Sequence, residues 1–111
     1  MTIVGVGIDT ERRDALSRWD SATLGTFAGR WLTPSELAWA STQEDFAGAV
    51  VTCVCGKEAV WKAIGGRVEL DAIGVADTSG PMASLHAGGL EVDVLWSAGR
   101  CDVLATAVAY R

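Results

Sequence analysis

The sequence predicts an α+β fold: a single domain, residues 1–111, in which a small antiparallel sheet packs against a long helix. Two observations predict this class. Helix-forming segments occupy much of the chain up to Gly65-Gly66, and short apolar runs separated by Gly, Asp, Ser and Pro follow that pair. A chain of 111 residues with 50% hydrophobic side chains also suits one globular core.

The first predicted elements are a strand and a short helix. Thr2 to Ile8 is β-branched and apolar and stops abruptly at Asp9, which predicts a buried strand that delivers an acid to its carboxyl end. The segment Glu11–Asp20 is rich in charge and in helix formers and is expected to form a short amphipathic helix.

A second helix is predicted from Pro34 to about Ser41. Thr33 can cap its amino end, Pro34 suits the first turn, and Glu36 completes a capping box three residues after Thr33. This structural role is sufficient to explain Thr33 and Glu36.

The long helix is predicted from Gln43 or Glu44 to Ile64, where Gly65-Gly66 ends it. The stretch Val50–Cys55 resembles a strand because β-branched residues dominate it. Helix is favoured because residues 57–64 are strong helix formers and no helix breaker within the stretch precedes Gly56.

Three apolar runs after residue 66 predict the other strands of the sheet, which Thr2–Ile8 joins. Turns and loops rich in Gly, Ser and Asp connect these runs. The predicted strands are Leu70–Val75, Leu90–Trp96 and Val103–Tyr110, and the connections are Asp77–Pro81 and Ser97–Asp102.

Composition excludes several classes of protein. A formal net charge of −5 argues against a general nucleic-acid binder. No stretch is apolar enough for a membrane helix and the amino terminus lacks the build of a signal peptide, so a cytosolic protein is expected. Cys53, Cys55 and Cys101 lack zinc-ligand spacing and predict reduced, mostly buried thiols.

Asp9 and Glu11 are candidate metal ligands. Alternate residues of an extended chain point the same way, and two carboxylates placed together repel each other unless a cation joins them. Oxygen ligands of this kind favour Mg²⁺, which also binds substrate phosphates. The alternative is that Asp9 caps a turn and Glu11 is simply exposed.

Glu58 and Lys62 lie four residues apart and therefore share one face of the long helix. A carboxylate and an ammonium that project together suit phosphate chemistry beside a metal ion. The alternative is an ordinary surface ion pair, worth about 0.3–0.5 kcal/mol.

Three ordered motifs then resemble a known family. They are Gly5-Val-Gly-Ile-Asp9, Arg30-Trp-Leu-Thr-Pro-Ser-Glu36 and Gly56-Lys-Glu-Ala-Val-Trp-Lys-Ala-Ile-Gly65. In order and separation they are similar to those of the short holo-acyl-carrier-protein synthase group of 4′-phosphopantetheinyl transferases. The resemblance implies Mg²⁺-dependent transfer of 4′-phosphopantetheine from coenzyme A to a serine of an acyl carrier protein, with release of adenosine 3′,5′-bisphosphate.

The resemblance also implies roles for individual residues. Asp9 and Glu58 would ligate Mg²⁺, with Glu11 as a third ligand, and Glu58 would accept the serine proton directly or through water. Lys62, together with Lys57, would contact coenzyme A phosphates.

Other expectations depend on the same resemblance. Arg30 either approaches the nucleotide or covers a helix. Family members recognise the acidic helix of the carrier through basic residues on and after their first helix, where this chain offers only Arg12, Arg13 and Arg18. A homotrimer with sites at the subunit boundaries is implied.

The chain departs from the family before its last strand. A Ser-x-Ser/Thr-His element is common there, but residues 95–101 contain no histidine, and Arg100 is a candidate replacement. The only histidine, His86, is expected in a solvated loop. These departures leave an alternative open, in which a transferase-like subunit binds coenzyme A or a carrier without efficient catalysis. An unrelated α+β domain that matches by chance is the third hypothesis.

Overall fold

The computed structural model describes all residues, 1–111. Nine principal elements follow one another along the chain, and a short 3₁₀ helix, Leu70–Ala72, lies between the third helix and the second strand. They are β1 (Ile3–Arg12), α1 (Ser21–Trp31), α2 (Pro34–Ser41), α3 (Phe46–Ala63), β2 (Ala76–Asp77), β3 (Gly80–Pro81), β4 (Ser84–Ala87), β5 (Leu90–Ala98) and β6 (Asp102–Tyr110).

The main sheet is antiparallel and has the strand order β1-β6-β5-β4, while β2 and β3 form a separate two-stranded hairpin. Helix α3 packs along one face of β1 and β6. Buried alanines and valines of the inward face of the sheet form the larger core cluster with this helix. A smaller cluster lies between α1, α2 and the first turns of α3. The predicted α+β class, with a small sheet against a long helix, is confirmed.

Helix α3 is confirmed with shorter bounds than predicted. The Asp45 side chain caps it by accepting a hydrogen bond from the Gly48 N–H at 2.9 Å. The helix ends before Gly65 and Gly66, both of which adopt positive φ. The β-branched stretch is helical because its side chains are buried between the two core clusters.

Helix α2 has the predicted bounds and the predicted cap. Thr33 Oγ1 accepts a hydrogen bond from the Glu36 N–H, and Glu36 Oε1 accepts one from the Thr33 N–H. Both halves of the capping box are present.

Strand β1 corrects two predictions. It continues to Arg12, so Asp9 lies within the strand and not at its end. It is also not a buried strand: β1 is at the edge of the sheet, and Val6 and Ile8 are 62% and 58% exposed. Its inward face is built from glycine, and a Cβ on Gly7 would overlap the carbonyl oxygen of Ala59 in α3. This close approach brings Asp9 against the helix.

The predicted helix at Glu11–Asp20 is wrong. Its first two residues belong to β1, turns follow, and Asp20 is instead the N-cap of α1, accepting a hydrogen bond from the Thr23 N–H at 2.8 Å. Two glycines, Gly25 and Gly29, lower the helix propensity of α1. Burial of its apolar side chains nevertheless stabilises the helix.

The predicted strand Leu70–Val75 is also wrong, because this segment makes a 3₁₀ turn and then runs without strand pairing. The Ile73 carbonyl oxygen and the Val75 N–H bond to side chains, while the Val75 carbonyl oxygen accepts the Met82 N–H at 2.9 Å. The other two strands, near 90–96 and 103–110, are confirmed. His86 lies in strand β4, exposed, and not in a loop.

All three cysteines are free, as predicted, with Cys53 and Cys55 buried and Cys101 exposed. None of the helices has both the length and the apolar character needed to cross a membrane.

Candidate metal and phosphate site

Three carboxylates meet where β1 packs on α3. Asp9 and Glu11 alternate along β1 and so face the helix together, and Glu58 faces them from α3. One oxygen from each side chain lies within 4.8 Å of the others. The structure therefore brings together all three residues predicted as metal ligands.

Asp9 is the most enclosed of the three, with its side chain only 10% exposed. Its Oδ1 accepts a hydrogen bond from Lys62 Nζ at 3.1 Å, whereas its buried Oδ2 has no hydrogen-bond partner. A buried carboxylate oxygen without a partner is costly unless a cation or another donor is supplied.

Lys62 lies at the rim of the cluster, with its side chain 47% exposed. Its ammonium also donates to the carbonyl oxygen of Ile8 at 3.0 Å. The ion pair predicted as an alternative, Glu58 with Lys62, is replaced by Lys62 with Asp9. The ammonium is thus held beside the carboxylates and remains open to solvent.

The electrostatics of the cluster favour a cation. Burial, followed by repulsion from Asp9, raises the pKa of Glu58 to about 7. The same two causes raise the pKa of Glu11 above its ordinary value. The negative charges of the three carboxylates repel one another, and one oxygen of Asp9 has no partner. A hard divalent ion such as Mg²⁺ would relieve both costs, because it binds carboxylate oxygens. The residues present therefore fit the metal.

The Cys55 thiol lies next to the cluster but is no ligand candidate. It donates to the carbonyl oxygens of Asp9 and Val103, at 3.3 and 3.6 Å. Burial raises the pKa of this thiol to about 12, so it stays protonated.

Lys57 is the main correction to the predicted site. Its side chain is completely buried and donates to Glu36 Oε1 at 2.6 Å and to the carbonyl oxygen of Ile73. The other oxygen of Glu36 accepts the Val75 N–H at 2.7 Å. Lys57 therefore joins α3 to α2 and to the segment after the 3₁₀ helix, and its predicted contact with coenzyme A phosphates is not supported.

Glu36 does more than complete the capping box, the one role that the sequence predicted for it. The sequence offered one signal for its pairing with Lys57, namely that the two residues have opposite charges and lie in two helices of the same domain. That signal does not predict their contact, because 21 residues separate them and only the packing of α2 on α3 unites them.

Arg30 lies at the end of α1. Its guanidinium bonds Asp71 at 2.8 Å and stacks on the Trp31 ring, 4.4 Å from the ring centroid. These contacts agree with the alternative in which it covers a helix. Arg100 lies in the exposed connection between β5 and β6.

Nothing in the sequence indicated a cavity of about 370 Å³ on the side of α3 that faces β5. It lies between the α2–α3 connection, the first turns of α3 and the end of β5. Val103 lines it and pairs in register with Glu11. The lining residues are Arg13, Trp39, Gln43, Glu44, Asp45, Ala49, Thr52, Pro81, Trp96, Ser97, Ala98 and Val103.

Two solved structures with the same fold are both holo-acyl-carrier-protein synthases. A crystal structure of holo-[acyl-carrier-protein] synthase from Neisseria meningitidis matches with a TM-score of 0.80 and 27% identity, covering 99% of this chain and 100% of that one. A holo-acyl-carrier-protein synthase from Plasmodium yoelii matches with a TM-score of 0.74 over 97% of this chain and 94% of that one, and at 24% identity it supports the fold alone.

At the level of sequence, no curated protein matches the chain. The family model of the 4′-phosphopantetheinyl transferase superfamily matches residues 5–108. This match covers both β1 and α3, which hold the acid cluster, and reaches β6. The chain belongs to the 4′-phosphopantetheinyl transferase superfamily.

Proposed function

We propose that the protein transfers 4′-phosphopantetheine from coenzyme A to a serine of an acyl carrier protein in a Mg²⁺-dependent reaction. The observation that carries this proposal is the cluster of Asp9, Glu11 and Glu58, in which one buried oxygen of Asp9 has no partner. Three hard oxygen donors that lie open to phosphates on one side suit a phosphoryl-transfer site.

Asp9, Glu11 and Glu58 would hold the metal ion. When bound, the ion would neutralise negative charge on the pyrophosphate of coenzyme A. Lys62 binds a phosphate oxygen from the rim, since its ammonium is anchored at one side and exposed at the other. Lys62 and the carboxylates that hold the ion would together orient the β-phosphate toward the incoming carrier serine.

Glu58 accepts the proton of the carrier serine, directly or through one water. A carboxylate held in the cluster beside the reacting phosphate can act as a general base in this way. A bond forms between the serine oxygen and the β-phosphorus, the bond from that phosphorus to the bridging oxygen breaks, and adenosine 3′,5′-bisphosphate leaves. No covalent intermediate with the enzyme is needed.

The face of the sheet opposite α3 supports assembly into a homotrimer. Val6, Ile8 and Leu95 project from this face and are 62%, 58% and 73% exposed. No helix covers these side chains, and exposed apolar side chains grouped on one face are typical of a subunit interface. Light scattering of the purified protein gives the oligomeric state directly.

Recognition of the carrier would depend on apolar contacts more than on charge. Helix α1 contains one basic residue, Arg30, which is already paired with Asp71. Its surface groove is lined by Trp19, Phe27 and Trp31. An acidic carrier helix would therefore meet an aromatic surface with little steering charge.

Mass spectrometry of apo carrier proteins incubated with the protein, coenzyme A and Mg²⁺ tests the activity. We expect a mass gain of one phosphopantetheine arm that EDTA abolishes and that Glu58→Gln reduces strongly. Glu69→Gln, which changes an exposed carboxylate outside the site, is the matched control and should retain activity. Stable association with a carrier without any modification would instead select the non-catalytic binding subunit.

A further inference from the structure

Strand β1 lies against α3 along a row of three contacts, which are Gly5 with Ala63, Gly7 with Ala59 and Asp9 with Cys55. We propose that Cys55 is a positioning residue for the acid cluster. Its size and its thiol contact set the separation between Asp9 and Glu58, so that the cluster prefers Mg²⁺ to the larger Ca²⁺. The inference rests on the metal site of the proposed function, and it concerns the fit of that site and not the reaction.

The first two contacts of the row leave no space between the strand and the helix. A Cβ on Gly5 would overlap the carbonyl oxygen of Ala63, and a Cβ on Gly7 would overlap that of Ala59. The glycines are two residues apart, about 6.8 Å along a strand, and the alanines are four residues apart, about 6 Å along a helix. Because the two spacings nearly match, the row continues with a third contact in the same register.

Cys55 makes this third contact at the junction of β1 and β6. Its side chain is fully buried, and its Sγ lies 3.3 Å from the carbonyl oxygen of Asp9 and 3.6 Å from that of Val103. Val103 pairs in register with Glu11, so the thiol contacts both strands beside the cluster. A larger group at this position would move the strands, because a closely packed core has no spare volume.

The same face of α3 carries Glu58 and Lys62. They follow Cys55 by three and seven residues, which places all three side chains toward β1. Lys62 Nζ donates to the carbonyl oxygen of Ile8 at 3.0 Å, and the thiol donates to that of Asp9. These bonds hold two consecutive carbonyl groups of β1 on α3. The helix therefore determines where the Asp9 carboxylate lies relative to that of Glu58.

The buried oxygen of Asp9 is the group that this positioning serves. The side chain is only 10% exposed, and its Oδ2 has no hydrogen-bond partner, which points to a missing cation. Mg²⁺ binds oxygens at about 2.0–2.1 Å in nearly octahedral geometry, whereas Ca²⁺ accepts about 2.3–2.6 Å and a variable number of ligands. A rigid contact between β1 and α3 therefore favours the smaller ion.

Cys55→Val tests this role directly. Valine adds volume and removes the thiol donor, so β1 should move away from α3 and the carboxylates should separate. Loss of a group that holds a metal ligand in place typically lowers metal affinity by about 10–100-fold. We expect the Kd of Mg²⁺ to rise at least about tenfold and that of Ca²⁺ to change by less than about threefold, because the larger ion tolerates longer and less regular contacts.

A competition experiment gives both constants without a measurement of activity. Electron paramagnetic resonance reports the free concentration of Mn²⁺, which carboxylates also bind, and Mg²⁺ or Ca²⁺ is then added to displace it. Circular dichroism checks the fold of each variant. If Cys55→Val does not fold, Cys55→Ala, which removes the thiol without adding volume, should still weaken Mg²⁺ binding more than Ca²⁺ binding, because a loosened ligand harms the ion with the stricter geometry.

Two further variants separate positioning from burial. Cys53→Val changes the other buried thiol of α3, which faces the smaller core cluster, and should alter neither Kd. Cys55→Ser keeps a donor at the third contact and should keep the preference for Mg²⁺. A merely structural role for Cys55 would lower the free energy of unfolding in both valine variants and leave the ratio of the two Kd values unchanged.

The outcomes distinguish the inference from the proposed function. An unchanged Kd of Mg²⁺ in Cys55→Val, or equal losses for Mg²⁺ and Ca²⁺, would overturn the inference even if the unsubstituted protein modifies a carrier. The expected shift in a protein that modifies no carrier would support the inference and refute the transferase function. A lack of Mn²⁺ and Mg²⁺ binding by the unsubstituted protein would refute both.

Discussion

Two lysines of the same helix, five residues apart, form two ion pairs of opposite character. Lys57 is buried with Glu36, and the oxygens and backbone groups around the pair have partners. Lys62 is half exposed beside Asp9, whose second oxygen is buried and unpartnered. The first pair is complete within the chain and stabilises the fold, while the second lacks a group that a ligand can supply. Burial alone therefore does not identify a functional charge; incomplete pairing does.

Removal of the buried ammonium should have the largest effect. Lys57→Met leaves Glu36 as an uncompensated buried charge, which costs about 3–5 kcal/mol of folding free energy. Urea unfolding followed by circular dichroism measures this loss. The double variant Lys57→Met with Glu36→Gln should recover part of it, because no buried charge then remains. A loss below about 1 kcal/mol for the single variant would show that the pair does not hold α3 in place.

Substitution in the open site should reduce activity without reducing stability. Glu58→Gln removes a proposed metal ligand and proton acceptor, so we expect transfer to fall by on the order of 10²–10³-fold, as when one group that stabilises the transition state is lost. The free energy of unfolding without metal should not fall, because the substitution also removes the repulsion between Glu58 and Asp9. Comparison of kcat with urea unfolding tests both statements, and unchanged transfer would remove Glu58 from the site.

Lys62→Ala tests the rim of the site. The loss of one charged hydrogen bond to a phosphate should weaken coenzyme A binding by about 1.5–3 kcal/mol. Titration calorimetry with and without Mg²⁺ gives this value, and thermal unfolding serves as the control. An effect confined to unfolding would mean that Lys62 only neutralises Asp9.

The smallest effect should have the opposite sign. Asp9→Asn keeps the shape of the side chain and its acceptor for Lys62 but removes repulsion within the cluster. In EDTA we expect this variant to be more stable by at most about 1 kcal/mol, the size of a close charge pair in water, because the lost attraction to half-exposed Lys62 partly offsets the lost repulsion. Added Mg²⁺ should stabilise the unsubstituted protein and not the variant. A variant less stable in EDTA would contradict the account of an incomplete pair.

Local sequence signals predicted the elements whose ends are set by their own residues. The capping box at Thr33 and Glu36 defines α2, and the glycine pair after Ile64 terminates α3. Both features act within a few residues of the chain, through hydrogen bonds and backbone conformation, so no tertiary information is needed to find them.

Elements stabilised mainly by packing were missed. Helix α1 contains two glycines that lower its propensity, and its burial against the smaller core cluster outweighs them. The segment Ile73–Val75 has the apolar composition of a strand. The Lys57 side chain, however, bonds its Ile73 carbonyl oxygen, and the Glu36 side chain bonds its Val75 N–H. Neither outcome is visible in the local pattern, because the partners lie far away in sequence.

The sequence by itself determined the α+β class, the long helix and the residue types of the candidate metal and phosphate site at Asp9, Glu11, Glu58 and Lys62. Only the tertiary structure decided which lysine is available to a ligand. One helical position separates Lys57 from Glu58, and the 100° turn between them sends one side chain into the core and the other toward β1. The contacts of each charge depend on the neighbouring elements, which local periodicity does not specify.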